Sequence, residues 1–265
     1  MKNLRTYGQP PFTVAVLHGG PGAPGSMAPV ARKLAANWGV LEPLQTATSV
    51  AGQIEELRTV LKDYGYLPIT LVGSSWGAML GFMVAARHPE LIKKLILVGS
   101  GVYEERYAAH IQATRLSRLT PAERREAHSL QTALDDPDRG DKGAALAQIG
   151  KLFTKVDAYH PLTLETEILE VQPEIHQQVW GEAAGLRKSG RLLALGRQIQ
   201  CPVVAIHGDY DPHPAQGVEQ PLSAVLPDFR FILLRNCGHL PWLEREARDE
   251  FYEILTSELG QRSET

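Results

Sequence analysis

The stretch Ile69-Thr70-Leu71-Val72-Gly73-Ser74-Ser75-Trp76-Gly77-Ala78-Met79 constrains the fold more than any other part of the chain. A β-branched apolar run stops, a Gly-x-Ser-x-Gly turn follows, and a helix-like run starts at once. Such a strand–turn–helix unit leaves one serine, Ser75, at the tip of the turn. A Cβ on either flank would crowd the turn, and those flanks are Gly73 and Gly77. A serine placed this way is a candidate nucleophile toward a carbonyl carbon.

The rest of the chain supplies the sheet this unit needs. Thr13–Leu17, Ile69–Val72, Leu95–Val98, Val203–Ile206 and Arg230–Leu234 read as short apolar strands. Val40–Leu44 is a weaker one, interrupted by Glu42 and Pro43. Helical patterns lie between them. Ser26 to Asn37 has Ser26 as an expected N-cap. Gln53 to Tyr64 places Ile54, Leu57, Val60, Leu61 and Tyr64 on one face and ends at Gly65. Trp76–Arg87 follows the serine turn, and Glu244–Leu259 closes the chain. Apolar strands without alternation, separated by helices, indicate an α/β fold: a mostly parallel twisted sheet with helices on both faces.

This pattern is broken once. From Glu104 to about Arg197 there is no convincing strand, only helical segments near 104–118, 121–134, 142–157 and 173–196. The expected organisation is a core of residues 1–101 and 198–265 with a helical insertion at 102–197. Its position, between two strands on the side where the serine turn emerges, suits a cap over a site.

Bulk properties exclude several classes of function. Net charge is −3 with pI near 6.3, so no basic footprint for nucleic acid or anionic membrane is present. No apolar run approaches the ~20 residues needed to span a bilayer, and Val14–Leu17 is too short for a signal core. A cytoplasmic protein is expected. The two cysteines, Cys201 and Cys237, are expected at opposite ends of neighbouring strands. A strand length of roughly 17–20 Å is beyond disulfide reach, so both read as buried free thiols. No metal-spaced cluster is evident.

A serine nucleophile needs a base, and the base needs an orienting group. His239 follows the strand at 230–234, in Gly238-His239-Leu240-Pro241. A carboxylate, Asp209 or Asp211, follows the strand at 203–206, in His207-Gly208-Asp209-Tyr210-Asp211. The carboxyl ends of parallel strands share one rim, so all three groups are expected there. His18-Gly19-Gly20-Pro21-Gly22, after the first strand, is a glycine-rich loop with backbone N–H groups able to face an anion. Gly20 in that loop and Trp76, the residue after the nucleophile, are the expected oxyanion donors. His18 reads as a loop anchor.

With these residues placed, the chain resembles the α/β-hydrolase family, in the subgroup that carries His-Gly-Gly-Pro-Gly and includes proline iminopeptidases. The resemblance rests on 18–22, Gly73–Gly77, Gly208–Asp211 and Gly238-His239-Leu240-Pro241-Trp242-Leu243-Glu244, and covers about 1–101 and 198–265. It implies the α/β-hydrolase fold with an inserted helical cap, Asp211 as triad acid, and no cofactor. Two departures are visible. The opening antiparallel strands are missing or rudimentary, and the usual Asp-x-Arg-Gly-x-Gly-x-Ser segment after the strand at 40–44 is replaced by Glu42–Ser49. The insertion is also short for an iminopeptidase. Glu165, Glu167, Glu170 and Glu182 could hold a substrate amino group but read as solvated helix faces.

The expected function is therefore a serine hydrolase of a small acyl substrate through Ser75, Asp211 and His239, a carboxylesterase ahead of an iminopeptidase-like aminopeptidase. Epoxide and alkyl-halide hydrolysis are disfavoured, because relatives with those activities carry a carboxylate in place of Ser75. A non-catalytic receptor on the same fold is the remaining alternative. No metal, nucleic-acid or membrane partner is expected.

Overall fold

Successive residues of the central strands are shared out between two separate cores, which is why the strands carry no polar alternation. The computed structural model describes residues 3–136, 141–163 and 167–260. Its sheet contains β1 (Leu4–Tyr7), β2 (Phe12–Leu17), β3 (Gly39–Pro43), β4 (Ile69–Ser74), β5 (Ile92–Val98), β6 (Val203–Gly208) and β7 (Phe229–Leu234). The spatial order is β1-β3-β2-β4-β5-β6-β7, all parallel except β1, which runs antiparallel to β3.

Ala15, Leu17, Leu71, Leu95, Leu97 and Ala205 point to one face. Val14, Val16, Val72, Ile96, Val98 and Ile206 point to the other. The second face is covered by α1 (Ala28–Leu34) and α10 (Arg248–Leu259). The first is covered by α2 (Val50–Tyr64), α3 (Trp76–Arg87) and α9 (Gln216–Val225). The predicted α/β architecture is what the structure shows.

Between β5 and β6 the chain forms α4 (Glu105–Arg118), α5 (Pro121–Asp135), α6 (Lys142–Asp157), α7 (Pro173–Lys188) and the single turn α8 (Arg191–Ala194). The α5 start is a capping box, Thr120 with Glu123, followed by Pro121. The insertion is not uniform. Leu119, Ala127, Leu152 and Val156 make a small core of their own. Ile175, Val179 and Ala183 of α7 and Leu192 of α8 instead join the core on the first sheet face.

Several local expectations are corrected. β3 is entirely buried, and its Glu42 is tolerated because the Tyr7 hydroxyl donates to it at 2.7 Å with Arg5 3.5 Å away. α1 starts two residues later than expected. Ser26 does not cap it; its Oγ accepts from the Gly19 N–H at 3.3 Å, one loop earlier. α2 starts earlier, capped by Ser49, whose Oγ accepts from Gly52 N–H. α9 escaped the sequence reading because Gly217 and Pro221 lie inside it. Both cysteines are buried and free.

α10 begins at Arg248, not at Glu244. Glu244 is buried, and its carboxylate is needed elsewhere. It accepts from the N–H groups of Gly238 (2.9 Å), Tyr159 (2.8 Å) and His160 (2.8 Å). One side chain thus ties the loop carrying His239 to the end of α6. In Glu244→Gln one of these N–H groups faces an amide donor. A loss of about 1–3 kcal/mol in unfolding free energy is expected, read by urea denaturation; unchanged stability would contradict the role.

Candidate active site

Ser75 stands between β4 and α3 with φ 52° and ψ −112°. A non-glycine residue adopts that conformation only when its surroundings impose it, at about 1–3 kcal/mol. The imposition comes from both flanks. Ser75 N–H donates to the Val98 carbonyl at the end of β5, at 3.0 Å. Gly77 lies so close to the Leu17 and His18 carbonyls that a Cβ there would overlap them. The first turn of α3 is thereby pressed onto the end of β2. Ser74, the adjacent hydroxyl, faces inward and is buried, while Ser75 is partly exposed.

His239 and Asp211 meet on the same rim. His239 Nδ1 donates to Asp211 Oδ2 at 2.7 Å, and both residues are buried. Gly99, immediately after Val98, has φ 50° and touches this pair. A Cβ on it would overlap the His239 carbonyl and lie 3.2 Å from His239 Nδ1. The serine turn and the His239 loop therefore rest on consecutive residues, Val98 and Gly99. Asp209 serves the loop and not the base, its carboxylate accepting from the Cys237 N–H at 3.3 Å.

Charge reinforces this geometry. Burial alone would raise the Asp211 carboxyl, but His239, His213 and His207 around it more than offset that, holding it well below the usual carboxylate range. Burial disfavours protonated His239, yet the charge and hydrogen bond of Asp211 outweigh it, so its pKa lies above that of a free imidazole. The main-chain N–H of His239 also donates to the Asp157 carbonyl at 2.9 Å, and Asp157 is buried in a bidentate pair with Arg115 of α4.

His213 was not foreseen. Its main-chain N–H and ring Nδ1 both bond Asp211 Oδ1, at 2.9 and 2.7 Å, and its ring stacks on His239 with centroids 4.6 Å apart. The available signal was Asp211-Pro212-His213, because an aspartate often accepts the N–H two residues on and proline favours that turn. Asp211, His213 and His239 also place one donor atom each within 4.8 Å of one another, a set able to hold a metal ion. However, the two Nδ1 atoms meet separate carboxylate oxygens at 2.7 Å, a spacing that suits two protons better than one shared ion.

The glycine-rich loop lies against the serine. A Cβ on Gly19 would stand 3.2 Å from Ser75 Cβ. Gly20 follows with φ 64°. Trp76 is the first residue of α3, where an N–H has no partner within the helix. The Trp76 indole donates to Gln53 Oε1 at 2.9 Å, tying the turn to α2. His18 is fully buried with Nδ1 against the Gly19 carbonyl, and burial pushes its pKa down to about 4.

Two of the insertion glutamates that could hold a substrate amino group have ordinary partners. Glu167 pairs with Arg32, Glu182 accepts the Val50 N–H at 2.8 Å, and Glu170 is exposed. Glu165 lies outside the described residues. The His160 ring meets Glu246 at the surface, Trp180 stacks on His176, and Trp242 packs against Phe251. A cavity of about 170 Å³ between the insertion and the His239 loop is lined by Arg115, Phe153, Asp157, His239 and Leu243 among others. Ser75 is not in its wall, so it borders His239 and not Ser75.

Residues 21–246 match the family described as alpha/beta hydrolase fold. The chain belongs to the α/β-hydrolase family. The match reaches the family and not the His-Gly-Gly-Pro-Gly subgroup. Among solved structures, this α/β-hydrolase is similar to VinJ (TM-score 0.67, 22% identity, 97% of this chain and 93% of that one). It is also similar to Paleococcus ferrophilus monoacylglycerol lipase (0.61, 15%, 97% and 97%) and to Mycobacterium smegmatis proline iminopeptidase (0.61, 19%, 97% and 93%). At those identities the likeness is one of fold. A curated relative, mouse "Epoxide hydrolase 4", is 36% identical over 45 residues, 17% of this chain and only 12% of the mouse protein. Among the described residues no helix is long and apolar enough to cross a membrane.

The burial of His18 has a measurable consequence. Its folded pKa of about 4 lies below the unfolded value of ~6.5. Between these values the unfolded chain binds the extra proton, so stability rises with pH across that window and falls on acidification. His18→Gln should lose about 2 kcal/mol less than the parent between pH 7 and pH 5, measured by urea melts. Identical losses would contradict a buried neutral His18.

Proposed function

We propose that the protein is a serine hydrolase of small acyl substrates, with carboxylic esters as the favoured class. The observation that carries this reading is a partly exposed serine held at positive φ on the same rim as a buried His239–Asp211 pair bonded at 2.7 Å. Ser75 Oγ attacks the acyl carbon while His239 Nε2 takes its proton. Asp211 holds the Nδ1–H and stabilises the imidazolium. The N–H groups of Gly20 and Trp76 receive the developing oxyanion. His239 then protonates the leaving group, and water, activated by the same imidazole, releases the acyl-enzyme.

The helical insertion, residues 102–197, acts as the cap that shapes the acyl and leaving-group pocket. Esters are favoured over amino-terminal peptides because Glu167 and Glu182 are already engaged, by Arg32 and the Val50 N–H. Two buried free thiols fit a reducing compartment such as the cytoplasm.

Nitrophenyl esters of graded acyl length, assayed beside aminoacyl-anilides, test the reading. Ester turnover is expected to fall at least about 10³-fold in Ser75→Ala and to stay within about tenfold of the parent in Ser74→Ala. Turnover of prolyl-anilide without ester turnover would replace esterase by aminopeptidase. The pH dependence is a second test. His239 acts when deprotonated, and Asp211 raises its pKa. The ascending limb of kcat/KM should therefore have its midpoint above the ~6.5 of a free imidazole. A flat profile from pH 5 to 8 would rule out a histidine base.

A further inference from the structure

The second histidine on the triad acid is built in as deliberately as the first. Asp211 Oδ1 receives both hydrogen bonds that residue 213 can offer, from the main chain at 2.9 Å and from the ring at 2.7 Å. Asp211 Oδ2 is left for His239 at 2.7 Å. His213 is itself held from behind, because His207 Nε2 donates to its carbonyl at 2.8 Å. That bond sets the His207 tautomer, with the proton on Nε2. His207, His213 and Asp211 are all buried, so this chain of bonds does not rely on solvent to hold it. The His213 ring also lies face to face with His239, 25° from parallel. Two degrees of freedom of the base are thus restrained by one residue: rotation of the carboxylate it bonds, and tilt of its own ring.

On the reading of Ser75, Asp211 and His239 given above, we infer that His213 is a positioning residue for the hydrolytic reaction. It clamps one oxygen of Asp211 and backs the His239 imidazole. The base is thereby kept in the tautomer and orientation that leave Nε2 free for Ser75. His213 transfers no proton and meets no substrate. It stays neutral, its pKa lowered to about 4 by burial, so it adds no charge beside the imidazolium that forms on His239.

Three variants separate the clamp from general packing. His213→Asn keeps a donor, because the Asn amide nitrogen is isosteric with the ring Nδ1. His213→Phe keeps a ring and loses that donor, and His213→Ala loses both. The main-chain N–H to Asp211 survives in all three. Expected kcat on a nitrophenyl ester falls about 10²-fold in Phe and Ala with KM within about threefold, and returns to within about tenfold of the parent in Asn. The far-downfield proton resonance of the His239–Asp211 hydrogen bond gives an independent readout. It should persist in the parent and in Asn and broaden away in Phe and Ala. Parent-like turnover with an unchanged resonance in Phe would overturn the proposal, as would an Asn variant no better than Phe. Should Ala fail to fold, the Asn–Phe comparison decides. If the parent hydrolyses neither nitrophenyl esters nor aminoacyl-anilides, the serine-hydrolase reading fails, and the resonance series still tests the clamp.

Discussion

A buried carboxylate must be answered by donors, and the rim of this sheet is organised around that need at Asp211. Removed from water, an ionised carboxyl is costly unless it is paired and hydrogen-bonded. Here it sits among three imidazoles and is bonded by two of them. The acid stays ionised without solvent, and the interaction in turn raises the proton affinity of His239. A base poised this way can accept a serine proton at moderate pH, which bulk water does poorly.

The helical insertion braces the same rim. Its backbone reaches the base directly, through the Asp157 carbonyl on the His239 main-chain N–H. Its Arg118 stacks on Tyr210, 3.6 Å above the ring, and donates to the Tyr210 carbonyl at 2.8 Å, one residue before Asp211. Glu244 ties the His239 loop to Tyr159 and His160 from the other side. Movement of α4 or α6 would therefore be felt by the acid and the base, and not only by a bound substrate. The α7 part, which shares the sheet core and contacts the Gly22 carbonyl through the Gln172 N–H at 2.7 Å, steadies the glycine-rich loop instead.

How much of this was legible in the sequence follows from which interactions are local. The strands and the helix after Ser75 were legible because apolar runs and glycine punctuation are local signals. The edges were not. Ser26 is a good N-cap by type but is taken by Gly19, and Glu244 looks like helix but serves three backbone N–H groups. α9 was hidden by Pro221, whose cost is met by tertiary packing of Val218 and Leu222. For the candidate site, chain order and strand ends pointed to Ser75, His239 and the Asp209–Asp211 loop. They carried no information on the stacking of His213 or on the Asp157–Arg115 pair, because those contacts join segments far apart in the chain. Substrate is the least legible of all, since the insertion reads as amphipathic helices whatever it covers.

The most direct measurement is covalent. The protein is treated with a fluorophosphonate near neutral pH, digested, and the peptide spanning Ser75 is weighed. A serine activated through His239 and Asp211 predicts one phosphonyl group per chain on Ser75, formed more slowly as pH falls and absent after Asp211→Asn or His239→Ala within the same time. No adduct on the intact chain, or an adduct on another residue that persists in Ser75→Ala, would contradict it.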